Sequence, residues 1–306
     1  MLLQSKMYKW GLGTVKVLLI GGTGFIGKNL LEAFSGAYRL SAPSRNELDI
    51  YDSAAVEAYL RKNCFDIILN ASDYRSQPGE IVDGQKMAAS RLRGFCNLIR
   101  CKDLYGKMIF FGSGAEYGRE LPICNIAEDA FDRIIPHDEY GFCLHTMTRF
   151  AMLTGGIINL RLFGIFGKYE QWRTRFISGA ICKALYGYPI TIRQNTYFDF
   201  LSVVDLTRMV KWAMHNQTNH CHYNAVSGRR YSLLELAELV REITGADVPI
   251  FIAREGMGKE YTASNVRISQ EIGGVYIQPM RESIQTLCCY YKENLDQIDS
   301  YSLLYQ

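Results

Sequence analysis

Gly21, Gly24 and Gly27 stand at G-x-x-G-x-x-G spacing within Lys-Val-Leu-Leu-Ile-Gly-Gly-Thr-Gly-Phe-Ile-Gly, residues 16–27. An apolar, β-rich run enters this turn, and an amphipathic pattern over residues 25–34 leaves it. Backbone N–H groups and a helix N-terminus can then face a pyrophosphate, where a side chain at Gly21 or Gly24 would block the approach. Between strand and helix, the triplet reads as a dinucleotide site with Phe25 and Ile26 at the helix mouth, rather than as an ordinary tight turn. The next strand candidate leads into Ser41-Ala42-Pro43-Ser44-Arg45, with one guanidinium and no carboxylate. A carboxylate there would hold a ribose 2′-OH, whereas a guanidinium fork matches a 2′-phosphate. Ser44 and Arg45 therefore favour NADP over NAD; the alternative for Arg45 is a solvated loop residue. His220-Cys221-His222 puts at most two imidazoles on one strand face. No further ligand cluster accompanies them, and no metal site is expected.

These residues need a frame to hold them. Strand patterns fall at 15–20, 38–42, 66–70, 107–111 and 157–162, with helical patterns at 25–34, 53–62, 87–101 and 140–153 between them. That alternation predicts an α/β, Rossmann-type doubly wound parallel sheet over residues 12–167. The segment 112–139 is long for a connection in a compact domain, as functional loops often are. Beyond Gly167 the pattern is irregular, with helices at 176–186, 204–215, 231–243 (Ser232 as its cap) and 280–294. A smaller α/β substrate-binding domain is expected over 168–190 and 221–306, with parts of 190–220 returning to the first domain. No linker separates them, so the ligand crevice should lie between, at the C-terminal ends of the strands.

Composition narrows the class. The 306 residues are 48% hydrophobic and 21% charged, ordinary for a globular protein and long enough for a large core. A net charge of +3 is too small and dispersed for nucleic acid, and no apolar run reaches a membrane span of about 20 residues. Residues 1–10 lack a signal-peptide core. Nine cysteines without regular spacing fit reduced thiols, so a cytoplasmic location is expected.

A second set of motifs carries a resemblance. Phe110-Phe111-Gly112-Ser113-Gly114-Ala115-Glu116-Tyr117-Gly118 follows an apolar run, and Tyr140-Gly141-Phe142 opens a helix. With Arg161-Leu162-Phe163-Gly164, Phe198-Asp199-Phe200 and Tyr223-Asn224, the chain resembles the extended short-chain dehydrogenase/reductase family, in its nucleotide-sugar branch. The resemblance implies Ser113 and Tyr140 as catalytic residues: Ser113 holds a sugar carbonyl oxygen and Tyr140 transfers the proton while the cofactor transfers hydride. It places Tyr140 against the cofactor as well, and Asp49 at the adenine; as a bare residue Asp49 could equally be a helix cap.

One departure dominates. The family pattern is Y-x-x-x-K, and position 144 is Leu. A lysine there favours the tyrosinate by charge and holds the nicotinamide ribose. A phenol without a cation beside it, pKa near 10, is only about one part in a thousand ionised at pH 7. That suits an acid and not a base, so losing the lysine should hurt alcohol oxidation more than ketone reduction. Restoring lysine at 144 is expected to raise turnover. The family's dehydratases carry an Asp-Glu pair where this chain has Gly114 and Ala115, and Glu116 falls one place later, turned away; dehydration is disfavoured. Tyr117 lines the sugar pocket or fills core. For a nucleotide diphosphate the resemblance offers Arg254, in Arg254-Glu255-Gly256, with Arg193, Arg173 or Arg175 replacing the arginine that Phe198 displaces. Gly164 stands where asparagine is usual.

The implied activity is an NADPH-dependent reductase of a nucleotide-linked 4-keto sugar, of the kind used for surface polysaccharides. The alternatives are a nucleotide-sugar epimerase or a non-catalytic NAD(P)- and nucleotide-sugar-binding homologue. A homodimer through helices 87–101 and 140–153 is implied too.

Overall fold

The computed structural model describes residues 15–73 and 83–304. Its centre is a sheet of six strands: β1 (Lys16–Ile20), β2 (Arg39–Ser41), β3 (Ile67–Asn70), β4 (Lys107–Ser113), β5 (Ile157–Leu162) and β6 (His222–Ala225). They lie in the order β6-β5-β4-β3-β1-β2, each neighbouring pair parallel. Helices cover both faces, so β1 and β3 are buried almost throughout and read as continuous apolar runs instead of alternating ones. Helices α1 (Phe25–Phe34), α6 (Val203–His215) and α8 (Val266–Ile272) pack Leu30, Leu206, Val210 and Ile268 on one face. On the other, α2 (Ser53–Asn63), α3 (Gly84–Arg100) and α4 (Glu139–Thr154) pack Leu60, Phe95 and Leu144. The strand order reverses between β1 and β3, which opens a crevice at their C-terminal ends. The doubly wound sheet is as expected.

The second lobe has its own core. Helices α5 (Phe176–Leu185), α7 (Leu233–Thr244) and α9 (Met280–Glu293) close over the parallel pair Ile190–Asn195 and Ile250–Met257. Ser232 caps α7 in a reciprocal box with Glu235, the start that its sequence predicts. The long segment after β4 is pinned instead of loose. Its strand Ile123–Ile126 joins a small sheet with Tyr261–Ala263, Tyr197–Phe198 and Tyr231–Ser232.

The expected division of the chain needs one correction. Of 190–220, strand Ile190–Asn195 packs in the second lobe while α6 packs on the six-stranded sheet, so that part returns as expected. The correction is that β6 and α8, both inside 221–306, complete the first layer. His222-Tyr223-Asn224-Ala225 hid its role because polar residues alternate in it; their side chains enter a buried hydrogen-bond network described below. Residues 1–10, and the expected domain start at 12, lie outside the described residues. Among these no helix is long and apolar enough to cross a membrane.

Glu170, 6% exposed, accepts a hydrogen bond from the Ser178 hydroxyl at the base of α5. Burial raises its pKa from the ordinary 4.5 to about 7. A folded pKa above the unfolded one means stability fully present below pH ~4.5 and lost as pH rises through about 7. Glu170→Gln should therefore gain on the wild type between pH 5 and 8, by up to roughly 3 kcal/mol. Paired urea titrations across that range check it; equal slopes would refute it.

Candidate active site

The glycine turn closes β1 and enters α1. Gly21 has φ +82°, and a Cβ there would stand 2.4 Å from the Ala71 carbonyl oxygen at the end of β3. Its bare backbone, expected for ligand approach, is required first by strand packing. A Cβ on Gly27 would stand 2.1 Å from the Gly21 oxygen, so α1 presses directly on the turn. Gly24 caps α1 with no side-chain hydrogen bond, which leaves the first-turn N–H groups, including those of Phe25 and Ile26, at the crevice mouth without a side-chain acceptor among the described residues. These residues fit a dinucleotide pyrophosphate.

Beyond β2, Arg45 is exposed and lies over the Tyr51 ring, 5.1 Å to the centroid. Among the described residues no carboxylate pairs with it. Ser44 is differently placed from expectation: its N–H and hydroxyl both donate to Glu47, at 2.7 and 2.8 Å. A carboxylate therefore does occupy this turn, three residues after Ser44, and Ser44 is engaged by it. Asp49 accepts from the Tyr51 N–H at 3.0 Å, and the cap of α2 is Asp52.

Tyr140 is the second residue of α4, half-buried at the crevice end. A Cβ on Gly141 would stand 2.6 Å from the Ala115 carbonyl oxygen, so α4 starts flush against the turn that Ser113 caps. The Ser113 hydroxyl lies 3.3 Å from that of Tyr261. Burial foremost raises the Tyr261 pKa, the Ser113 contact opposes it, and Tyr140 is near enough to add to the rise. Tyr261 thus joins Ser113 at the site. Two guanidinium groups flank the Tyr140 ring: Arg91 of α3 at 4.9 Å from its centroid and Arg119 at 5.9 Å. None of these three partners shows in the linear pattern, because each comes from a different element.

Around position 144 no neighbour on α4 takes the lysine's place. Leu144 is fully buried in the apolar cluster of Phe95 and Met147. The Cys143 thiol is pushed up to about 11 by burial. His145 turns inward, to the Glu116 carbonyl (3.0 Å) and Asp132 (2.9 Å).

Glu116 and Arg161 are each 0% exposed and paired, the carboxylate accepting from Nε at 2.9 Å and Nη2 at 2.8 Å. Asn159, Thr148 and the Ser113 N–H donate to the same carboxylate. Glu116 is thereby turned from the crevice, as its spacing predicted. Tyr117 is core: 3% exposed, it donates to Asn224 (2.8 Å) and accepts from Arg161 (2.7 Å), and burial pushes its pKa up to about 12. Its alternative as a pocket wall falls with that burial. His222 enters the same network beside Arg161, and burial followed by the Arg161 charge lowers its pKa to about 3.

Arg193 and Arg254 are exposed, on neighbouring strands. Register pairs Arg254 with Gln194 and Ile252 with Ile192. Strand alternation therefore sends Arg193 and Arg254 to opposite faces, and they do not form one diphosphate clamp. Arg173 is engaged by Ser302 and Asp299. The two other departures are absorbed by packing. Phe198 lies 5.7 Å from Phe200 and 5.8 Å from Tyr261 between ring centroids. A Cβ on Gly164 would stand 2.7 Å from the Phe200 ring.

Sheet, glycine turn and tyrosine-bearing helix together define a dinucleotide-binding α/β protein. A family model described as the NAD dependent epimerase/dehydratase family matches residues 17–226, and the chain belongs to that family. It is 25% identical over 277 residues to a UDP-glucose 4-epimerase of Lactobacillus helveticus, covering 77% of this chain and 83% of the relative. In fold it matches an NADP-bound GDP-L-fucose synthetase from Naegleria fowleri (TM-score 0.81, 14% identity, 92% of this chain and 94% of that one). It is similar too to a GDP-mannoheptose C4 reductase from Campylobacter jejuni with NADP bound (TM-score 0.77, 18% identity, 91% and 98%).

Proposed function

We propose that the chain is a cytoplasmic, NADPH-dependent reductase of a nucleotide-linked 4-keto sugar. The observation that carries the reading is the setting of Tyr140: half-buried at the crevice end of α4, against the Ser113 turn, with cations at its ring. A nicotinamide dinucleotide held by its pyrophosphate at the glycine turn would supply the hydride. Tyr140 gives the proton to the developing alkoxide, and Ser113 and Tyr261 offer hydroxyls to orient the oxygen. Arg45 supports NADP, as the accessible guanidinium at the end of β2. Glu116, bound into the Arg161 pair, is withdrawn from elimination chemistry, which counts against dehydration.

Epimerisation is the second reading. Arg91 beside Tyr140 favours it, because a cation there supports the alcohol oxidation with which an epimerase begins. Oxidation of NADPH with a panel of 4-keto-6-deoxy nucleotide sugars tests the first reading. Interconversion of UDP-sugars without net cofactor use would replace it by the second. Binding of NADPH with neither reaction would leave a non-catalytic binding protein.

The same helices support a homodimer. Phe142, Phe150 and Leu153 are 46, 42 and 84% exposed along α4. Such a stripe is covered when α3 and α4 of two copies form a bundle. Light scattering at micromolar concentration should give twice the chain mass; a monomer would dispose of the proposal.

A further inference from the structure

The family takes its active-site cation from the helix that bears the tyrosine, and here that position is Leu144. Leu144 is 0% exposed and lies within the cluster that holds Phe95, Leu98 and Met147. Arg91 stands instead on the neighbouring helix. Cys143 donates to the Ala88 carbonyl at 3.4 Å, which fixes the second turn of α3 against α4. Arg91 follows one turn later, and helical side chains lean toward the N-terminus. Both helices begin at the crevice, so this lean carries the guanidinium to Tyr140, 4.9 Å above its ring. The side chain is only 10% exposed, and among the described residues its carboxylate partner is Asp73, three residues beyond β3 and 65% exposed. Burial works against the Arg91 charge; Asp73 first and then Tyr140 outweigh it and hold its pKa above the ordinary value.

We infer that Arg91 serves Tyr140 as the cation that the family takes from lysine, acting by charge and not by proton exchange. It is a positioning residue for the reaction, and the inference rests on the reading that Tyr140 transfers a proton. In alcohol oxidation the phenolate takes the hydroxyl proton; in reduction the phenol returns it. Arg91 faces the phenolate in both directions and gives up nothing, since guanidinium stays protonated. Among the described residues, the other groups around Tyr140 do not fill this role. Arg119 is 52% exposed and bonded to Asp138 at 2.7 Å. Glu139 and Asp138 are anionic neighbours at the helix start, and Cys143 and Tyr261 are held protonated by burial.

Ultraviolet titration of the full chain tests this without substrate. The phenolate absorbance step that vanishes in Tyr140→Phe should move to higher pH in Arg91→Gln and return in Arg91→Lys. Arg119→Gln should move it less. In turnover, Arg91→Gln should slow alcohol oxidation at pH 7 about tenfold, reduction less, with little change in sugar-nucleotide KM. An unmoved step, or an equal effect of Arg119→Gln, overturns the inference. A moving step in a protein that turns over no nucleotide sugar leaves Arg91 paired with Tyr140 and defeats the functional reading alone. If Arg91→Gln does not fold, Arg91→Lys decides: charge alone should hold the step, and displacement of it refutes the role.

Discussion

Arg161→Leu is expected to destabilise the fold by about 3–5 kcal/mol, because it leaves the Glu116 carboxylate charged, buried and without its counter-ion. Both side chains are 0% exposed, and the guanidinium makes two hydrogen bonds to one carboxylate oxygen. The same group reaches Tyr117 at 2.7 Å and Asn224 at 3.3 Å, so its loss also strands the network that ties β5 to β6. Arg161→Lys should recover only part of the loss, since an ammonium cannot reproduce the fork. Glu116→Leu combined with Arg161→Leu should be less damaging than Arg161→Leu alone, because no unpaired charge remains. Urea denaturation of the three variants checks the order. A loss below about 1 kcal/mol for Arg161→Leu would mean that water or a rearranged neighbour compensates Glu116.

The parts of the molecule legible in its sequence are those governed by local rules. Residues 25–34 form α1 as their spacing predicts, since the apolar period and the glycine turn act within one segment. Strand β5 likewise follows from its apolar run. What the sequence hides is set by distant partners. Tyr261 is one tyrosine among twenty until its strand brings its hydroxyl to Ser113. Arg91 sits in an ordinary amphipathic helix and gains its role only where α3 meets α4. Leu144 shows the limit most clearly. From the pattern alone it is a missing lysine, and putting lysine back should help. In the fold it is a core residue, so a lysine there must bury its stem and its charge among Phe95, Leu98 and Met147. Lost stability, and no gain in rate, is the outcome expected from Leu144→Lys.

Tyr140→Phe should leave the fold and cofactor binding intact and lower turnover by about 10²- to 10⁴-fold in both directions, the usual worth of a positioned proton carrier. The ring is what packs: it is half-buried at the start of α4 and lies under the Arg91 and Arg119 guanidinium groups. Phenylalanine keeps that aromatic face, so both cations retain a partner. The helix start does not depend on the hydroxyl either, since Asp138 caps α4 by accepting from the Gly141 N–H at 3.0 Å. The substitution therefore removes one O–H and little else. Matching melting curves and NADPH titrations for the two proteins, beside a collapsed rate on whichever nucleotide sugar the wild type accepts, would assign the proton to Tyr140. A rate within about threefold of wild type would take it away and pass the role to another hydroxyl of the cluster, with Tyr261 the first to substitute.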